Sequence, residues 1–257
     1  MPSPLDAPFR LGYRFPMLRT IIVGVAIALP VPALAVSDYR ACLGMVETQP
    51  ELALDQALQW RDLGGGEPAR HCAALAYAAN GELAAAAIQL DELARDIEAQ
   101  NPRAAAGIMG QSAAIWVAAR KDRLAAEAYA QAIRWERNDA RLRLDLAHVL
   151  ASQKKYKPAL REIDFAIELN DLLADAYALK AMVLRRMDRQ DESDDALALA
   201  LALDPEQPQA RMEMALAQAR GGDKDGARRD LIDIINENPD TDIAENARLY
   251  LEELELD

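Results

Sequence analysis

The sequence predicts an all-α solenoid of about five helix–turn–helix repeats closed by capping helices. Three observations carry that expectation. Segments of one character recur at a fixed interval: Ala166 to Asp171, Ala200 to Pro205 and Ile234 to Pro239 end alike, and Asp171, Pro205 and Pro239 lie 34 residues apart. Each interval holds two amphipathic stretches split by a short polar turn. Such a unit cannot bury its apolar stripe alone, and stacked copies supply the core. Finally, 52 of the 257 residues are alanine and only 5% are aromatic. That composition suits close-packed helices and argues against a β-sandwich or barrel.

Taken in order, the chain begins with an export segment. Arg10, Arg14 and Arg19 precede an apolar run from Ile21 to Leu34, which ends in Ala33-Leu34-Ala35. A charged region, an apolar region and a small-x-small exit make a secretory signal peptide. Cleavage is expected after Ala35, and Met17 offers an alternative start. The run is 14 residues long and contains Pro30 and Pro32, against about 20 for a bilayer span. A membrane anchor through residues 20–34 is the lesser alternative. The expected location is the periplasm of a Gram-negative host, or outside the cell.

Cys42 and Cys72 are the only cysteines. In an oxidising compartment an even pair forms a disulfide, which would staple a leading helix, around Asp38 to Glu47, onto the first repeat. Closing such a loop stabilises by roughly 3–4 kcal/mol on the chain-entropy model. Unpaired core cysteines are the alternative. A second leading helix, Pro50 to Leu63, stops at Gly64-Gly65-Gly66, so residues 36–66 read as an N-terminal cap.

Repeats follow over residues 67–240. A divergent first copy carries Ala74, Tyr77, Gly81, Ala86 and Leu90, and its second helix is expected to run from Glu82 to about Gln100, giving a step of 39 to the next copy. The next has Met109, Ala113, Trp116, Ala125, Tyr129 and Ala132. A third has Leu146, Ala147, Leu150, Tyr156, Ala159, Ile163 and Ala166. A fourth has Tyr177, Ala181, Leu184, Leu197, Ala200 and Pro205, with Ser193 where its neighbours carry alanine. The last has Met214, Ala215, Ala227, Leu231, Ile234 and Pro239. Asn101-Pro102 and Asn138-Asp139 mark helix starts. Residues 241–257 read as a capping helix offering Ile243, Ala247, Leu251 and Leu254, with Asp240 or Thr241 as its cap.

These residues resemble the tetratricopeptide repeat, a 34-residue helix–turn–helix with small residues at positions 8, 20 and 27 and a proline at 32. The resemblance implies a right-handed α-α superhelix whose first helices line a concave groove, chiefly through positions 2, 5, 9, 12 and 13. Carried onto this chain, those positions give a groove of Arg141, Leu144, His148, Met182, Arg185, Arg186, Met212, Leu216 and Arg220, with Asp175 and Ala178 among them. The front half adds His71, Leu75, Gly110, Ala114 and Val117. Arginine grips carboxylates through two bonds, so the implied partner is a peptide or protein segment with acidic groups. The alternative is that Arg185 and Arg186 pair locally with Asp188 or Asp191. The family's carboxylate clamp, Lys at 5 and Asn at 9, is missing: those positions hold His71/Leu75, Gly110/Ala114, Leu144/His148, Ala178/Met182 and Met212/Leu216.

Lys154, Lys155, Lys157 and Arg161 form a basic turn inside one repeat. The chain as a whole carries a net charge of −13, and near −15 without residues 1–35, which disfavours nucleic acid as a partner. No Gly-rich phosphate loop, His-x-x-x-His or Gly-x-Ser-x-Gly motif occurs. His148 has Asp145 nearby but no nucleophile. No cofactor, metal or catalysis is expected. The function implied is a non-catalytic scaffold or adaptor holding another protein in its groove. The alternative is an accessory subunit of an envelope enzyme or secretion complex, docked by its caps or convex face.

Overall fold

A computed structural model describes residues 38–256, so the predicted signal segment, its cleavage after Ala35, the alternative anchor and Met17 lie outside the described residues. Thirteen α-helices follow one another, with no strand among the described residues: α1 (Tyr39–Thr48), α2 (Pro50–Asp62), α3 (Gly66–Ala79), α4 (Leu83–Ile97), α5 (Pro102–Ala118), α6 (Asp122–Trp135), α7 (Ala140–Ser152), α8 (Tyr156–Leu169), α9 (Ala174–Arg185), α10 (Gln190–Leu203), α11 (Pro208–Arg220), α12 (Lys224–Glu237) and α13 (Asp242–Leu256). They fall into two compact units, divided along the chain between Lys121 and Asp122.

In the first unit α1, α2 and α3 pack on one another. Their shared core contains Cys42, Val46, Ala53, Ala57, Cys72 and Leu75, with Tyr39 and Trp60 against it. The expected disulfide joins Cys42 to Cys72 across a Cα–Cα distance of 6.3 Å. It ties α1 to the first repeat helix, α3. Gly64 and Gly66 both take positive φ, +91° and +60°, conformations that glycine adopts without strain. Gly65 between them lies so close to the Trp60 indole and Ala69 that a Cβ has no room.

Packed on α3 and α5, α4 is shorter than the sequence suggests. It ends at Ile97, and Glu98 to Gln100 form the turn before Asn101. The Asn101 side chain accepts the Ala104 N–H, with Pro102 at the first helical position. The extra length behind the 39-residue step is thus shared between α4 and the 17-residue α5.

The second unit shows the repeat plainly. Pairs α7/α8, α9/α10 and α11/α12 each pack as a hairpin. Small residues let them approach: Ala147, Ala159, Ala166, Ala181, Ala200, Ala215 and Ala227 are all fully buried. Ser193, at a position where neighbouring repeats have alanine, donates its buried hydroxyl to the Ala181 carbonyl across the hairpin at 2.8 Å. A polar atom is tolerated there because its bond is made. α13 closes the stack, with Ala247 buried against Met212, Leu231 and Ile234, and with Ile243, Leu251 and Leu254 alongside. Thr241, one of the two candidate caps, accepts the Ala244 N–H at its hydroxyl.

The turn that follows each first helix repeats too. Gly81, Arg120, Lys154, Asp188 and Gly222 all have positive φ. Each is followed by an N–H that reaches back five residues: Glu82 to Tyr77, Lys121 to Trp116, Lys155 to Leu150, Arg189 to Leu184 and Asp223 to Gln218. This is the left-handed helix stop that satisfies orphan carbonyls.

Candidate functional site

Within the second unit the first helices form one layer, α7 touching α9, α9 touching α11 and α11 touching α13. The second helices α8, α10 and α12 are held further apart. A stack that is tighter on one side curves toward it, so the first-helix layer is the inner face. The sequence-derived groove residues all belong to this layer or its rim, but they divide into three groups.

Leu144, Met212 and Leu216 are buried in the cores between helices and do not line an open wall. Ala178 is likewise buried. In the first unit His71, Leu75 and Gly110 are buried, while Val117 is exposed. The position code alone does not separate a residue facing the neighbouring repeat from one facing solvent.

Arg185 is engaged internally, and Arg141, although exposed, is ion-paired to neighbouring acids. Arg185 sends its Nε to Glu213 Oε2 at 2.5 Å and an Nη2 to Glu213 Oε1 at 3.0 Å. Glu213 is 2% exposed and also accepts from Gln209 at 3.2 Å. Burial works against the Arg185 charge, but the hydrogen bond and charge of Glu213 outweigh it and hold its pKa above the usual guanidinium value. The pair clamps α9 to α11, and the pairing with Asp188 or Asp191 is not formed. Arg141 lies 3.1 Å from Asp175 and 3.5 Å from Asp145. Asp175 accepts in turn from Gln207 at 3.1 Å, and Gln207 caps α11 through the Ala210 N–H. A polar chain therefore links the starts of α7, α9 and α11.

His148, Met182, Arg186 and Arg220 remain accessible: His148, Arg186 and Arg220 are exposed and Met182 is half-buried. Arg186 reaches the Tyr250 hydroxyl of α13 at 2.8 Å. Near Arg141 the balance is acidic. Burial raises the Asp145 pKa to about 6; Arg141 pulls it down, while Asp139 and Asp175 push it up. Desolvation on this inner face, with Arg141 as a second cause, lowers the His148 pKa against the opposing pull of Asp175. Although solvent reaches it, the ring is neutral at pH 7.

Sequence reasoning did not anticipate Glu213, Gln207 or Tyr250. Two pairings of this layer had a readable signal. Arg141 and Asp175 occupy the same position of consecutive repeats, and Arg185 and Glu213 occupy positions 12 and 6 of adjacent ones. In a stack such positions face each other. Among the described residues no group of three or more His, Cys, Asp or Glu is placed to hold a metal ion. No helix there is long and apolar enough to cross a membrane.

No protein-family model matches the chain. No curated protein matches it either. Solved structures do. Pseudomonas aeruginosa PilF superposes with a TM-score of 0.58 at 14% identity, over 82% of this chain and 95% of that one. MamA from Desulfovibrio magneticus RS-1 gives 0.55 at 16% identity, over 66% and 92%. A further MamA crystal structure gives 0.51 at 16%, over 63% and 92%. At such identities the likeness concerns the fold, which together with the repeated turns makes the chain an α-solenoid of tetratricopeptide-like repeats.

Proposed function

We propose that this chain is a non-catalytic scaffold that holds a peptide or protein segment against the first-helix face of its second unit. The observation that supports this most is the group of accessible residues His148, Met182 and Arg220: His148 and Arg220 make no ion pair among the described residues, and Met182, packed on the core by one side, keeps the other side open. The buried pair with Glu213 removes Arg185 as a grip, and Arg141 is held in exposed pairs with Asp175 and Asp145, so the partner on this face is read as one that accepts a neutral imidazole, a thioether and one arginine. We also infer export: the disulfide between Cys42 and Cys72 suits an oxidising compartment, as the N-terminal sequence suggests.

A row of apolar side chains favours a second reading, docking by the outer helices. Phe165 and Leu169 of α8, and Leu199 and Leu203 of α10, are exposed and recur 34 residues apart. Photo-crosslinkers placed in turn at Met182 and at Leu199 of the full chain, in living cells, distinguish the two. An adduct from position 182 alone supports inner-face binding. An adduct from position 199 alone moves the interface to the outer helices.

A further inference from the structure

A basic concavity of the second unit lies at the hairpin turns. An open cavity of about 430 Å³ lies between two successive turns, lined by Lys154, Lys155, Tyr156, Lys157, Pro158, Arg186 and Met187. No carboxylate lines it. None of its four cations makes an ion pair among the described residues, and Arg186 donates only to the neutral Tyr250 hydroxyl. Tyr156, Pro158 and Met187 are half-buried and give the cavity an apolar floor beneath four exposed charges.

The fold does not require these cations. The same left-handed turn is built one repeat later from Asp188, Arg189, Gln190 and Asp191, and again from Gly222, Asp223, Lys224 and Asp225. At the first of those, Arg189 is paired with Glu192. One repeat earlier the turn reads Arg120, Lys121, Asp122 and Arg123, but there Asp122 offsets one charge and Arg123 is paired with Glu127; three cations with no acid among them belong to the turn at 154–157. Arg186, carried by the following repeat, adds to them across the gap. Like charges held together in a chain of net charge −13 repel one another unless an anion joins them.

We propose that this cavity binds an acidic protein segment, with carboxylates on the lysines and Arg186 and an aromatic or aliphatic side chain on the Tyr156–Pro158–Met187 floor. It is a second site, independent of the inner-face reading. A peptide fits better than the other anions. An anionic membrane would repel the rest of so acidic a chain, and a lone phosphate would leave the apolar floor unused. Lys155 also stands in the N-cap place of α8 without capping it, so the positive helix end adds to the field.

The test is fluorescence anisotropy with the full chain and a short fluorescein-labelled peptide of Glu and Asp around a central Trp. Wild type should bind it, and salt raised to about 0.5 M should weaken binding about tenfold or more. The variant Lys154→Asn, Lys155→Gln, Lys157→Gln, Arg186→Gln should lose about tenfold or more with an unchanged circular-dichroism melt. The single variant Met187→Ser, which keeps every charge, should also weaken binding. Absence of wild-type binding, or equal binding by the quadruple variant, overturns the proposal. So does capture of vesicles of phosphatidylglycerol and phosphatidylcholine in place of the peptide.

Discussion

Glu213 is a carboxylate with almost no access to water, and Arg185 is the charge that makes it tolerable there. Removing the arginine alone leaves an unpaired buried anion, so Arg185→Ala should cost about 3–5 kcal/mol. Arg185→Met with Glu213→Gln should recover most of that in urea denaturation. Asp145 works in the opposite sense. Its carboxyl titrates near pH 6 in the folded chain against an ordinary 3.8. The unfolded chain therefore loses this proton first, and stability falls as pH rises from about 4 through 6. Asp145→Asn should raise stability at pH 7 by about 1–3 kcal/mol and change nothing below pH 4. His71 is buried between the Tyr39 hydroxyl at 2.6 Å and Gln111 Oε1 at 2.7 Å. Burial lowers its pKa although the Gln111 bond opposes. The unfolded chain takes up this proton first as pH falls, so stability declines below about pH 6.5. Thermal melts of wild type and His71→Gln between pH 7.5 and 5 should diverge accordingly.

Among the helices and turns, the left-handed position of each hairpin allows a comparison within one molecule. Gly222 has nothing within 4 Å of where a Cβ would stand. Gly222→Ala should therefore cost only the conformational penalty, about 1 kcal/mol. Asp188 holds the same conformation at a φ of 58°, and Asp188→Gly should gain a similar amount. Guanidinium unfolding of the two variants checks both signs. The helices themselves were readable because buried alanines recur with the repeat, as at Ala147, Ala181 and Ala215. Proline and asparagine marked their starts at Asn101-Pro102. The end of α4 was not readable, because Glu98 to Gln100 continue a helical composition and only the geometry of the next start cuts the helix short.

Over the whole chain, the period fixed the architecture but not the face. Leu144 and His148 stand one helical turn apart on α7, yet one faces the next repeat and the other faces solvent, because the curvature of the stack decides and no single repeat encodes it. Reducing the Cys42–Cys72 bond should lower stability by about 3–4 kcal/mol, read as lost amide protection beginning in α1. The same bond has a second effect. It spans the glycine corner Gly64-Gly65-Gly66, the link between α2 and α3, where Gly64 and Gly66 are exposed. A protease that cuts this corner would leave both fragments covalently joined, one band on a gel without reductant and two with it. The leading helices thus stay tethered to the chain even after the peptide between them is severed.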